Sequence, residues 1–241
     1  MITLETVETD FGTINVLKRR ASGAITYEQG GFQQSEADNN GVSLASYIHA
    51  IFALILQSKA HKILLVGCGG GTLATMLARA DKNVTVIDVN PASFPLARQY
   101  FALPDSVRCQ IADGKTFLRT NAQIYDAIVI DAYHGDRIPA HLKSFRFYSL
   151  VRERLSQRGA LFANVHVGHA FDCRVDRIAE CMSMVFPDVR LLDSRAFIEH
   201  NAIVMAGTVK HFDPPKLLMP PVVDRSLIES ELAAMKFRAW R

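Results

Sequence analysis

The chain has 241 residues, of which 49% are hydrophobic and 21% charged, with a formal net charge of +3. That length suits one α/β domain with a short appendage, and a chain of this size buries roughly 70–75% of its unfolded surface, enough to fold without a disulfide or metal. The basic clusters Lys18–Arg20 and Lys236–Arg241 read as solvated surface rather than a nucleic-acid track. The longest apolar stretch, Ile48–Leu56, is interrupted by His49 and too short to span a bilayer. Four cysteines without a CxxC pair, and an N-terminus without a charged and apolar leader, point to a reduced, cytoplasmic protein.

In chain order, Thr3–Thr9, Thr13–Lys18 and Ala24–Glu28 are short β-type runs punctuated by Phe11-Gly12 and Ser22-Gly23. They predict a small antiparallel meander, broken at Gly30–Ser35. From Ser43 to Gln57 apolar residues fall at helical spacing. Strand and helix then alternate. Strands are expected at Lys62–Val66, Val84–Asp88, Val107–Ala112, Ala127–Asp131, Ala160–Val165, Val189–Leu192 and Ala202–Ala206. Helices are expected at Leu73–Ala80, Ala92–Phe101, Lys115–Arg119, Phe145–Leu155 and Asp172–Phe186. This rotation predicts an α/β fold with a mostly parallel seven-stranded sheet and helices on both faces. The boundaries read as a small β region at 1–40, a Rossmann-like domain at 41–210, and a proline-rich linker with a helix (Ser226–Phe237) at 211–241.

In doubly wound sheets the ligand sits beyond the carboxyl ends of the strands. The first such strand empties into Gly67, Gly69 and Gly71, which let the backbone close around a ligand. Asp88 follows Gly67 by 21 residues at the next strand tip, where a carboxylate can accept both ribose hydroxyls. Asp113, in Ala112-Asp113-Gly114, could accept from an exocyclic amine such as adenine N6, and Asp131 ends the fourth strand. Any one of these aspartates is more economically a helix cap. The series of four points to an adenosine ligand. A dinucleotide would prefer a glycine where Thr72 stands, so an adenosyl sulfonium is the better fit.

The order of motifs resembles the spermidine synthases and their spermidine synthase-like relatives, within the S-adenosylmethionine-dependent (class I) methyltransferase folds. The glycine motif G-G-G-D-G-G stands as Gly67-Cys68-Gly69-Gly70-Gly71-Thr72, E-I-D as Val86-Ile87-Asp88, G-D-G as Ala112-Asp113-Gly114, and Y-D-V-I-x-D as Tyr125–Asp131. Upstream, Gln34-Ser35-Glu36-Ala37-Asp38 is similar to the family's Q-(S/T)-x-x-(R)-D element, and Ile138–Leu142 to its gating loop. The resemblance implies aminopropyl transfer from decarboxylated S-adenosylmethionine to a small amine, with no metal, by a homodimer. Asp131 would be the base, Asp38 would hold the cofactor's ammonium, Gln34 would line that end, and Gly114 would lie beside the adenine. Tyr133 and His134 would face the acceptor.

Several positions depart from the family. His134 replaces the second acid of D-x-x-D, a loss that Asp136 or Glu36 could make good, and Gly70 replaces the glycine-motif aspartate. Methyl transfer from S-adenosylmethionine and binding without turnover are the alternatives, and Leu65 lacks the acid common in methyltransferases. Other signals are discounted. His166, His169 and Cys173 have metal-like spacing but no fourth ligand in sight. Ser144 and Ser149 sit in no nucleophile elbow. Cys68, at a helix N-terminus where a thiol pKa can fall, reads as a small residue in a tight turn. His200 and Asn201 could face the ligand or merely be loop polarity.

Overall fold

The structure is a computed structural model that describes residues 1–168, 172–194 and 199–240. The N-terminus folds as a four-stranded antiparallel sheet in sequential order: β1 (Ile2–Val7), β2 (Ile14–Lys18), β3 (Ile25–Gln29) and β4 (Phe32–Ala37). The fourth strand corrects the expected break at Gly30–Ser35. Gly30 and Gly31 have φ of +57° and +81°, and Gln29 pairs with Phe32 across them. Two consecutive left-handed residues make the tight hairpin turn whose twist matches antiparallel strands. The polar run after it hides a strand because most of β4 is solvated or faces a cavity rather than core.

The second sheet has eight strands in the order β12-β10-β11-β9-β8-β5-β6-β7. Its central strands β5 (Lys62–Val66), β6 (Asn83–Asp88), β7 (Arg108–Ile111), β8 (Tyr125–Ile130) and β9 (Leu155–Val167) are parallel. At the other end β10 (Val189–Asp193), β11 (His200–Gly207) and β12 (Lys236–Arg238) run antiparallel to their neighbours. Seven strands match the expectation. The eighth, β12, corrects the helix drawn through Phe237: α7 stops at Ala234, and Phe237 pairs with Leu192.

Strands buried on both faces read as unbroken apolar runs, and here alternate residues enter two different cores. Ile63, Leu65, Val84, Val86, Ala127 and Val129 pack with α1 (Ser46–Gln57), α2 (Thr72–Arg79) and α7 (Arg225–Ala234). Leu64, Val66, Ile87, Ile128 and Ile130 face the other way, onto α4 (Gly114–Thr120), α5 (Phe145–Arg154) and α6 (Arg174–Ser183). α3 (Ser93–Tyr100) sends Phe94 and Ala97 into the first core and Leu96 toward the N-terminal sheet. Ile228 and Leu232 of α7 are buried in the same cluster as α1, so the C-terminal helix docks on its own domain.

The C-terminal segment is tied at two further points. Asp38 Oδ2 accepts from the Val222 amide at 2.9 Å. Arg238 on β12 donates to Asp193 Oδ2 at 2.6 Å and to both oxygens of Asp176 at 2.8 and 3.1 Å, while His200 Nε2 lies 2.7 Å from Asp193 Oδ1. Among the described residues, no helix is long and apolar enough to cross a membrane, and no group of three His, Cys, Asp or Glu side chains is placed to hold a metal ion. His169 lies outside the described residues.

Candidate active site

The parallel register aligns the carboxyl ends of adjacent strands. Gly67 N donates to Ile87 O, Asp131 N to Val66 O, and Ala112 N to Asp88 O, all at 2.8–2.9 Å. Asp113, Asp88, Gly67 and Asp131 therefore stand side by side after β7, β6, β5 and β8. Only glycine fits at 67: its φ is +102°, and a Cβ there would stand 2.2 Å from the Asp131 carbonyl oxygen.

On one side of Asp131 lies a cavity of about 400 Å³, bordered by Gly67, Gly69, Asp88, Asp113, Gly114 and His134. Asp88 anchors the glycine loop: its Oδ2 accepts from Cys68 N at 2.7 Å and its Oδ1 from Asn90 N at 2.8 Å. Burial raises the Asp88 pKa against the lowering effect of those amides. Asp113 caps α4, its Oδ1 accepting from Thr116 N at 2.9 Å, while His141 Nε2 lies 2.6 Å from its Oδ2. Burial raises the Asp113 pKa, but the Thr116 amide and His141 outweigh it and hold the carboxyl below its ordinary value. The cap reading and the ligand-facing reading thus coexist in one side chain.

On the other side is a larger cavity of about 800 Å³ that shares Gln34, Cys68, Gly69, Asp131 and Tyr133 with the first. Glu36, Asp136 and Glu199 also border it. Asp131 stands in the common wall with both oxygens occupied. Tyr47 on α1 donates its hydroxyl to Oδ2 at 3.3 Å, and Asn164 on β9 donates Nδ2 to Oδ1 at 2.8 Å. Asn201 on β11 in turn donates to Asn164 Oδ1 at 2.9 Å, which fixes the amide so that its NH2 faces Asp131. Burial raises the Asp131 pKa, with Asn164 and Tyr47 pulling the other way. The Tyr133 hydroxyl bridges the β9 backbone, donating to Asn164 O at 2.8 Å and accepting from His166 N at 2.9 Å. Burial pushes this phenol far above its ordinary pKa.

Three expected positions are not brought to these cavities in the expected way. Asp38 is buried, and its carboxylate serves backbone amides: Oδ1 accepts from Asn40 and Val42 at 2.9 Å, Oδ2 from Val222. A side chain with three amides to satisfy is a turn anchor and borders neither cavity. Gly71, the N-cap of α2, borders neither of these two cavities, and a Cβ there would stand 3.3 Å from Ala97 of α3. His134 borders the smaller cavity, not the larger one where a second acid is wanted, whereas Asp136 and Glu36 border the larger.

Gly70 has its own explanation. A Cβ there would come 2.8 Å from the Phe101 ring, which occupies the space a longer side chain would need, and the Gly70 amide donates to Ser35 Oγ of β4 at 3.0 Å. For Cys68, burial pushes the thiol well up rather than down. Asn201 faces the cavity, whereas His200 turns to Asp193. Asn164, Tyr47 and His141 are not assigned a site role from the sequence, although His141 lies in the segment that resembles the gating loop. An asparagine inside the apolar run Ala160–Val167 was the one available signal, since a buried amide must find partners.

A methyltransferase-domain family matches residues 63–159. A probable polyamine aminopropyl transferase of Bifidobacterium longum is 30% identical over 57% of this chain and 31% of its own length. A polyamine aminopropyltransferase of Neisseria meningitidis serogroup A is 30% identical over 70% of this chain and 65% of its own. The chain thus spans less than two thirds of the length of these relatives. Among solved structures, a probable spermidine synthase from Corynebacterium glutamicum superposes with a TM-score of 0.80 at 17% identity, covering 98% of this chain and 90% of that one. Spermidine synthase from Thermotoga maritima gives 0.71 at 20% identity, covering 98% and 84%. The structural likeness shows a fold shared with the spermidine synthases, and over part of their length the chain is similar in sequence to polyamine aminopropyltransferases.

Proposed function

We propose that this protein is a transferase that moves an aminopropyl group from an adenosyl sulfonium, decarboxylated S-adenosylmethionine, to an amine acceptor. The observation that carries the reading is Asp131, a carboxylate in the common wall of two cavities, with its pKa raised by burial. The smaller cavity suits an adenosine in size, since small-ligand sites run to roughly 300–1,000 Å³. Its carboxylates stand apart at successive strand tips, Asp88 for the ribose and Asp113 for the exocyclic amine, with Ile87 and Leu142 supplying apolar lining.

The sulfonium supplies an electrophilic methylene and a neutral thioether as leaving group. The chain must supply a free amine held in line. Asp131 attracts the protonated acceptor and removes one proton, since an ammonium has no lone pair to donate. A raised pKa makes Asp131 a stronger base than an exposed aspartate. Nitrogen then bonds to the methylene carbon, and the carbon–sulfur bond breaks with its electron pair passing to sulfur. Methylthioadenosine leaves, and the proton stays on Asp131 until solvent takes it. Tyr47 and Asn164 keep the carboxylate from rotating, and Tyr133 walls the path between the cavities.

The test is calorimetric titration with decarboxylated S-adenosylmethionine, S-adenosylmethionine and methylthioadenosine. The decarboxylated form is expected to bind at least tenfold tighter than S-adenosylmethionine, about 1.4 kcal/mol. Equal or tighter binding of S-adenosylmethionine would sink the aminopropyl reading in favour of methyl transfer. No binding of any of the three would remove the adenosine assignment.

A further inference from the structure

Tyr133 borders a third cavity, of about 380 Å³, whose charge is opposite to that of its neighbour. Arg137, Lys143, Arg174 and Arg177 line it against a single carboxylate, Asp136. Arg174 is matched by Asp172, to which its Nε donates at 2.7 Å and its Nη2 stands at 2.5 Å. Asp136 stands 3.6 Å from Arg137 and 3.7 Å from Arg174, so it offsets one further cation at most. Lys143 and Arg177 make no ion pair among the described residues, and two of the four positive charges are left unmatched.

The larger cavity beside Asp131, which would take the acceptor, has the reverse balance, with Asp131, Asp136 and Glu199 facing Arg174, Glu199 standing 3.5 Å from His166 and Glu36 already tied to Arg19 at 2.5 Å. The two cavities adjoin along Tyr133, Asp136, His166 and Arg174. A molecule seated at Asp131 that reaches past Tyr133 meets a field that repels a second ammonium and attracts an anion. Guanidinium groups are also the side chains best matched to carboxylate and phosphate oxygens.

Resting on the reading that Asp131 receives an amine, we propose that the acceptor is zwitterionic. Its amino group sits at Asp131 and a carboxylate or phosphate group at its far end enters the basic cavity behind Tyr133. The acceptor class is therefore the amino acids and amino phosphates rather than the diamines.

The experiment supplies decarboxylated S-adenosylmethionine and follows methylthioadenosine release with acceptors of matched length: 1,5-diaminopentane, 5-aminopentanoate and 5-aminopentyl phosphate. One of the two anionic acceptors is expected to exceed the diamine at least tenfold in kcat/KM, and which of them does so separates carboxylate from phosphate. Arg177→Glu, at an exposed and unpaired position, is expected to lower the anionic acceptor's kcat/KM at least tenfold more than the diamine's, with Arg137→Ala as a second variant. A preference below tenfold, or equal effects of the variants on both classes, overturns the proposal and leaves aminopropyl transfer standing. Weakened S-adenosylmethionine binding in Arg177→Glu overturns it too, because the anion served would then be the donor's carboxylate. If calorimetry shows the donor bound but no acceptor yields product, the acceptor assignment fails alone. If the donor does not bind, the transferase reading fails and takes the proposal with it.

Discussion

The two cavities that meet at Asp131 are assembled in different ways. The smaller cavity draws its strand-tip residues from one contiguous stretch, Val66 to Leu142, each βα turn adding its part in chain order, with Phe11, Gln29 and Gln34 of the N-terminal region closing one side. The larger cavity collects Gln33 and Glu36 from the N-terminal sheet, Tyr47 from α1, Asn164 from β9 and Asn201 from β11. The first kind of site is mostly local, set by the turn after each strand. The second exists only after distant elements have packed. Chemistry built on the second can change while the first stays constant.

The sharpest way to break that contrast is at the shared wall. Asp131→Asn is expected to lower methylthioadenosine formation at least about 100-fold, the lower range for loss of a general base. Methylthioadenosine affinity measured by calorimetry should change by less than about threefold, because the adenosine contacts lie elsewhere. An equal loss in both would mean that Asp131 serves the donor. Next in size, Asp88→Ala should weaken methylthioadenosine binding by roughly 10–100-fold, as expected for losing about 1.5–3 kcal/mol of charged hydrogen bonding, and should leave the acceptor KM little changed.

Asp38→Asn tests the reassigned turn anchor. It is expected to lower unfolding free energy by about 1–3 kcal/mol, read by denaturant titration, with no change in the ratio of affinities for decarboxylated and carboxylated donor. A changed ratio would restore a ligand role to Asp38. Smaller still is a pH effect confined to the acceptor side. Turnover should fall as pH drops through the Asp131 pKa, which burial raises, and Asn164→Leu removes a donor that lowers it. That variant should move the acid limb of kcat/KM toward neutral pH, while methylthioadenosine affinity compared at fixed pH stays level.

The Arg238 clasp gives a stability counterpart. Burial opposes ionisation of Asp193, but His200 and Arg238 outweigh it and hold its pKa at about 2, below the ordinary value of 3.8. The stabilisation is therefore complete above pH 4 and is lost as pH falls toward 2. Arg238→Ala should show its destabilisation at neutral pH, and acid unfolding curves of variant and parent should converge below that range.

The same contrast explains what could be read from the sequence. That Asp88, Asp113 and Asp131 stand on one edge was legible because Asp88 and Asp131 end largely apolar strands, Asp113 follows the next strand in turn, and strand tips in a parallel sheet share one edge. Asp38 misled because motif order fixes a position along the chain and says nothing of whether the carboxylate is already used by three amides. β4 escaped notice because its residues are polar and face a cavity, and β12 because three residues carry no periodicity. The orientation of Asn164 depends on Asn201, its partner 37 residues away, and only the pairing of β9 with β11 brings them together.

β12 also bears on how the chain avoids other copies of itself. Without it, β10 would end the sheet as an open row of amides and carbonyls carrying Val189, Leu191 and Leu192, a template for strand addition by another chain. Three residues suffice to cover most of that row, and the new edge carries Lys236 and Arg238, side chains that discourage further pairing. Loss of this short strand would therefore register first as aggregation during refolding, before any change in chemistry at Asp131.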